Sequence, residues 1–188
     1  MQLDDDWACV ARGHDGDAAA FAELVRRYEV PVRRFCTRMT ASAEDGEDLA
    51  QETFVKLHRY LGRLQPRAKF STVLFGIARN VTLNFLRDEA RRGRGKGAPI
   101  EGQFLACSPL HQPDRRAECS ETVRLIEEAL RHVTPEHREI LLLREVEDLD
   151  YDAIAEVLGC RKGTVRSRLS RARQDLRARL ESLGARYP

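Results

Sequence analysis

The amino-acid sequence predicts an all-α protein: two small helical domains joined by a flexible linker, the C-terminal one a helix-turn-helix. Three observations point there. Apolar residues recur at three- and four-residue spacings in two separate blocks. No run of alternating β-branched residues lies between turn signals. Between the blocks, a stretch opens with Gly93-Arg-Gly-Lys-Gly97, contains Pro99, Pro109 and Pro113, and carries no long periodic segment. The spans that follow are 1–92 for the first domain, 93–119 for the linker and 120–188 for the second domain.

In the first block the helical pattern starts near Asp17. Phe21, Leu24, Val25, Tyr28, Val32 and Phe35 form one apolar stripe, interrupted by Pro31. A second helix spans Glu44 to Leu61, with Ala50, Phe54, Leu57 and Leu61 inward and Asp45 and Glu47 at its positive end. Gly62 and Pro66 mark a loop. A third helix is expected from Ser71, as N-cap, to about Arg91, burying Leu74, Ile77, Ala78, Val81 and Phe85. In the second block, Val123, Ile126, Leu130 and Val133 form a stripe. Thr134-Pro135 then opens a new helix as cap and first residue. A turn at Asp148–Asp150 leads to a short helix, Tyr151 to Leu158, ended by Gly159. The last helix places Val165, Leu169, Ala172, Leu176, Leu180 and Leu183 on one side.

Bulk composition excludes more than it selects. A third of the 188 residues are charged, yet the net charge is only +2. The charge is sorted along the chain. Nine Lys/Arg face Asp175 and Glu181 between Arg161 and Pro188, and eight acids face Arg138 and Arg144 between Glu136 and Cys160. Another basic cluster runs from Arg87 to Lys96. Opposite-sign blocks suit separate surfaces for separate partners, or simply solvated faces. The start of the chain is acidic and no apolar run is long enough to span a bilayer, so a cytoplasmic protein is expected. Five widely spaced cysteines fit neither a disulfide framework nor a zinc ribbon. Cys107, His111 and Cys119 lie in or beside the linker, but their spacing is irregular and no fourth ligand stands near. No metal and no cofactor is assigned. A phosphate loop, an HExxH pair and a nucleophile elbow are all missing, so no enzyme is expected.

The most informative segment is Tyr151–Leu169, laid out as a helix-turn-helix. Ile154 and Leu158 point inward, small Ala155 sits where the helices cross, Gly159 takes the sharp turn, and Val165 packs the second helix back. That second helix is crowded with Arg161, Lys162, Arg166, Ser167, Arg168, Ser170, Arg171 and Arg173. Phosphates take Lys/Arg, hydroxyls and free N–H groups such as those near Gly163-Thr164. Guanine edges take the planar Arg fork. On the third helix of the first block, Asn80, Asn84, Arg87 and Arg91 recur at four, three and four residues. This polar stripe suits exposed bases and phosphates, or it is an ordinary wet face. Phe70 and Phe75 are available for base stacking or for the core, with Phe75 better suited to the core.

These residues resemble a family. Asp48-Leu-Ala-Gln-Glu-Thr-Phe54 resembles the helix by which sigma factors hold core RNA polymerase. Phe70-Ser-Thr-Val-Leu-Phe-Gly-Ile-Ala-Arg-Asn80, followed by Leu86–Arg92, resembles the segment that melts and reads the −10 promoter element. Thr134-Pro-Glu-His-Arg-Glu139 resembles the opening of the second sigma domain, and Gly163–Arg173 the helix that reads the −35 element. The order and the two-domain layout are similar to extracytoplasmic-function (ECF, group IV) sigma factors of the sigma-70 family. The resemblance implies that Asp48, Gln51, Glu52 and Phe54 contact core polymerase. It implies that Phe70, Asn80, Asn84, Arg87 and Arg91 serve the −10 element, with the loop from Leu61 to Ser71 holding a flipped base. It assigns Lys162, Thr164, Arg166, Ser167, Ser170 and Arg171 to the −35 element, and it adds an anti-sigma factor as controlling partner. The chain departs from the family at two places: Val73 stands where Trp is common, and Cys160 where Pro usually follows the turn glycine. A stand-alone DNA-binding regulator is the alternative; it leaves the Asp48–Phe54 and Phe70–Asn80 segments unexplained.

Overall fold

The computed structural model describes the backbone of residues 2–93 and 113–184, and the side chains of residues 5–93 and 121–184. Every regular element among the described residues is helical. The first block holds α1 (Gln2–His14), α2 (Ala18–Thr40), α3 (Ala43–Tyr60) and α4 (Phe70–Arg91), with a 3-10 turn at Leu61–Arg63. The second holds α5 (Pro113–His132), α6 (Pro135–Leu141), a π-helical turn at Leu142–Val146, α7 (Tyr151–Leu158) and α8 (Lys162–Ser182).

Local chemistry sets most of the ends. The Asp17 carboxylate accepts from the N–H groups of Ala19 and Ala20 at 3.0 and 3.1 Å, so α2 starts there. Ser42 accepts from Asp45 N at 3.2 Å ahead of α3, and Asp150 from Ala153 N at 2.8 Å ahead of α7. Thr134 caps α6 with Pro135 in its first turn, as expected. Gly159 closes α7 at φ 62°, a left-handed conformation that favours glycine. Pro31 lies inside α2, which continues past it.

Three element boundaries differ from the sequence reading, and packing explains two of them. The N-terminal helix α1 was not expected, because its apolar residues are few. Its buried Cys9 and Val10 and its half-buried Trp7 are nonetheless enough to seat it on the bundle. Second, α4 starts at Phe70 rather than being capped by Ser71, and Lys69 at the cap position makes no side-chain cap bond. The Phe70 ring is locked edge-on against Trp7 and Tyr28, with centroids 5.9 and 5.3 Å apart, so packing fixes the first residue. Third, α5 starts at Pro113, inside the span assigned to the linker; a proline is well placed at a first helical position. Cys107 and His111 and the side chain of Cys119 lie outside the described residues.

In the first block α2 packs most extensively on α3, across Gly46. A Cβ on Gly46 would stand 2.6 Å from Thr37 Cα, a separation that van der Waals contact forbids. Its lack of a side chain sets how closely α2 and α3 approach. Asp6 of α1 is buried and accepts from the Tyr28 hydroxyl at 2.6 Å and from Arg27 at 2.8 Å. Burial, with the bond to Asp6, pushes the Tyr28 phenol well above its usual range. In the second block Val165, Leu169 and Ala172 of α8 meet Ile140, Leu141 and Leu143, with Ile154 of α7 fully buried beside them. Val157 turns inward more than Leu158, and Ile126 of α5 stays on the surface.

The two blocks are docked. α4 lies along α7, and the end of α2 touches α5 and α6. Arg138 is the central polar feature of this junction. Its buried guanidinium donates to Leu130 O, Arg131 O and Val133 O at 2.8, 2.9 and 3.3 Å, and across the junction to Met39 O at 2.9 Å. It thereby serves orphan carbonyls at the ends of two helices. Burial lowers its pKa, since the charge has given up water for carbonyls alone.

Candidate nucleic-acid interface

The recognition helix α8 is held by its buried stripe of Val165, Leu169 and Ala172. At 100° per residue, Ser167, Ser170 and Arg171 stand opposite that stripe, and all three are exposed. Arg166 flanks them. Neither Arg166 nor Arg171 has a hydrogen-bond or ion-pair partner among the described residues, so both forks are unspent. Lys162 is turned to the flank, where it meets Asp152 at 2.6 Å. Thr164 is half-buried and its carbonyl accepts from Ser167 Oγ at 3.0 Å. Arg161 occupies the cap position without a side-chain cap bond, leaving this helix end to an external acceptor. Arg173 is already engaged, donating to Glu145 at 2.6 and 2.9 Å. Its pKa is raised by that bond. Two features flank the helix: Cys160 is half-buried beside the turn after α7, and His137 of α6 pairs with Asp175 of α8 at 2.9 Å.

On α4 the polar stripe is exposed along its length: Asn80, Asn84, Arg87 and Arg91 all face solvent. Arg87 donates to Asn84 Oδ1 at 3.3 Å, and Arg91 pairs loosely with Asp88 at 3.5 Å. Val73 falls two turns earlier on the same stripe and is half-buried. Ahead of α4, the segment after Leu61 exposes Arg63, Gln65 and Arg67 and is pinned from behind by Trp7 Nε1, which donates to Ala68 O at 3.0 Å. Sequence reasoning missed that pin, because it needs the unforeseen helix α1.

Two aromatic candidates sit elsewhere than the site needs. Phe70 is 2% exposed and Phe54 is 8% exposed, so both rings are spent on the core in this conformation. On α3 this leaves Asp48, Gln51 and Glu52 at the surface, with Glu52 held by Lys56 at 2.7 Å and Val55 exposed beside them. No group of metal-ligating side chains forms among the described residues, and no helix among them is long and apolar enough to cross a membrane.

Comparison with known proteins agrees with this layout. Residues 24–92 match the model of Sigma-70 region 2, and residues 124–176 that of Sigma-70, region 4. The chain is 32% identical over 188 residues to the RNA polymerase sigma-H factor of Pseudomonas aeruginosa, covering 97% of each. It is also 32% identical to the ECF RNA polymerase sigma-E factor of Haemophilus influenzae, covering 95% of this chain and 96% of the relative. Among solved structures, the sigma factor RpoE bound to the anti-sigma factor NepR from Bartonella quintana matches at TM-score 0.68 and 24% identity, over 86% of this chain and 96% of that one. CnrH in complex with the cytosolic domain of CnrY matches at TM-score 0.67 and 24% identity, over 95% and 98%. With near full-length relatives above 30% identity and both family regions in order, the chain belongs to the sigma-70 family of RNA polymerase sigma factors, in its ECF branch.

Proposed function

We propose that this sigma factor divides its work among three surfaces. Exposed Asp48, Gln51 and Glu52 of α3 bind core RNA polymerase. The α4 stripe of Asn80, Asn84, Arg87 and Arg91 takes the opened −10 element, and the Leu61–Ser71 segment, with Arg63 and Arg67 free of ion pairs among the described residues, holds an extruded base. Ser167, Ser170, Arg171 and Arg166 of α8 read the −35 element, with Lys162 and Thr164 on phosphates at the helix start. In this division residues 1–92 form the −10 unit and residues 120–188 the −35 unit. The single observation that carries the reading is the unspent Arg166/Arg171 pair on the outward face of a helix-turn-helix.

Control by an anti-sigma factor fits as well, since one structural neighbour is the sigma factor RpoE in complex with the anti-sigma factor NepR. Action in the cytoplasm follows from the partner, because RNA polymerase works there. The test is a pull-down with core polymerase followed by run-off transcription from a pool of randomised promoters. Binding with promoter-dependent transcripts is expected. Arg171→Ala should relax −35 selection, and Asn80→Ala should slow promoter opening. DNA binding without any polymerase binding would overturn the reading in favour of a stand-alone regulator.

A further inference from the structure

One flank of α8 carries a row of cations. Lys162, Arg166, Arg173 and Arg177 recur at four, seven and four residues, spacings that return to one side of a helix with about 3.6 residues per turn. All four are exposed, and the row borders the outward face of Ser167, Ser170 and Arg171. It runs roughly 22 Å at about 1.5 Å per residue, which matches several phosphate spacings along one strand.

Three of these four cations hold a carboxylate of the same chain. Lys162 meets Asp152 of α7 at 2.6 Å, Arg173 meets Glu145 at 2.6 and 2.9 Å, and Arg177 meets Glu181 at 3.1 Å. Glu181 is a neighbour one turn along the same helix, an ordinary solvated pair. Asp152 and Glu145 differ, because they reach α8 from other elements, 10 and 28 positions away in the chain. Glu145 stands on the π-helical turn at Leu142–Val146. Its neighbour Arg144 donates to Leu149 O at 2.9 Å and lies 5.6 Å from the centre of the Tyr151 ring, so the backbone that presents Glu145 is anchored beside it. Stability does not account for the two pairs. Their side chains are 47–72% exposed, and ion pairs so open to water and salt add little to folding. Arg173 donates through Nε and Nη2 to one Glu145 oxygen, a contact that a phosphate oxygen can take over.

We infer that Glu145 and Asp152 stand in for DNA phosphates: they occupy Arg173 and Lys162 in the free chain, yield them to the DNA backbone on binding, and so hold down sequence-independent DNA affinity. The inference rests on α8 being the DNA-facing helix, as proposed above, and not on which bases it reads. Each internal carboxylate cancels a charge that would otherwise release a counterion from DNA, so it flattens the salt dependence as it lowers the affinity. Arg166 and Arg171 have no such partner among the described residues, which leaves base contacts untouched. Any duplex offers phosphates, and competing sites outnumber promoters by orders of magnitude, so a weak hold on random DNA keeps the factor free.

The experiment titrates the full-length protein into a fluorescein-labelled duplex of random sequence and reads anisotropy between about 50 and 200 mM KCl. Glu145→Gln with Asp152→Asn should bind roughly tenfold more tightly at the low-salt end, with a log–log salt slope steeper by about 2. In an Arg173→Ala background, Glu145→Gln should change affinity by less than about twofold, because the guanidinium it would free is gone. An equal gain in both backgrounds would mark a general charge effect and overturn the inference, as would an affinity and slope unmoved by the two carboxylate changes. Promoter selection from a randomised pool by the factor bound to core polymerase judges the −35 reading separately. Glu145→Gln should keep the wild-type base preference, and a changed preference would overturn its role as a phosphate stand-in. Absence of any −35 preference in the wild type would overturn the base-reading role alone and leave the anisotropy result standing.

Discussion

Arg171 and Phe70 show how differently two candidate contacts fare once burial is known. Arg171 faces solvent with no partner among the described residues, so its fork is available to a base pair. Arg171→Ala should cost about 1–3 kcal/mol of discrimination at one −35 position, read as relaxed preference in a binding selection. Phe70 is enclosed by Trp7 and Tyr28. Phe70→Ala should cost the first block about 3–5 kcal/mol in chemical denaturation, whereas Phe70→Leu should keep promoter opening nearly intact. Gly46 is a third kind of residue, needed for what it lacks. Gly46→Ala forces α3 off α2 and should cost about 1–3 kcal/mol, visible as a lowered denaturation midpoint with unchanged DNA preference. None of these three fates can be read from residue type alone; each is set by what stands within 4 Å.

Among the elements, the second block carries opposed titrations. Asp150 and Asp175 are held below their ordinary value of 3.8: Asp150 first by the Ala153 N–H and then by Lys69, Asp175 first by the bond to His137. A depressed carboxylate stabilises the fold above its unfolded value and loses that stability as pH falls through the folded value. Glu139 and Glu147 go the other way, raised above 4.5 by burial against the opposing pull of Arg79 and Arg34. Their contribution grows as pH falls through the folded value towards 4.5, because the neutral form is the one the buried site prefers. The fold should therefore gain a little stability on mild acidification towards pH 4.5, and the second block should weaken below about pH 3.8. Thermal melts across pH 3–7 check both arms, and Asp175→Asn should flatten the acid arm. The same elements were legible in outline. Thr134, Gly159 and the α8 stripe announce their roles locally, through a cap, a φ and a period. The start of α4 and the whole of α1 do not, because they depend on rings and carboxylates contributed from elsewhere in the chain.

For the whole molecule the deciding feature is that the two blocks are docked on each other. Arg138 ties α5 and α6 together and reaches Met39 O in the first block, so it couples domain stability to docking. Arg138→Met should leave several buried carbonyls unserved and cost about 3 kcal/mol, with the transitions of the two blocks separating in calorimetry. The proposed readers on α4 and α8 are both exposed in the docked form.

What the sequence by itself determined is the class, the two helical blocks and the chemistry of the readers. Helical period, capping residues and clustered Arg, Ser and Asn are local patterns, and local patterns survive in one dimension. What only the tertiary structure decided is which of those groups are free. Phe54 and Phe70 went to the core, Arg173 went to Glu145, and Arg34, Arg38, Lys69 and Arg79 went to the acids of the second block. These outcomes join residues as far as 113 positions apart. No periodicity carries such information, because it arises from competition between burial, hydration and charge at contacts that exist only after the chain has folded.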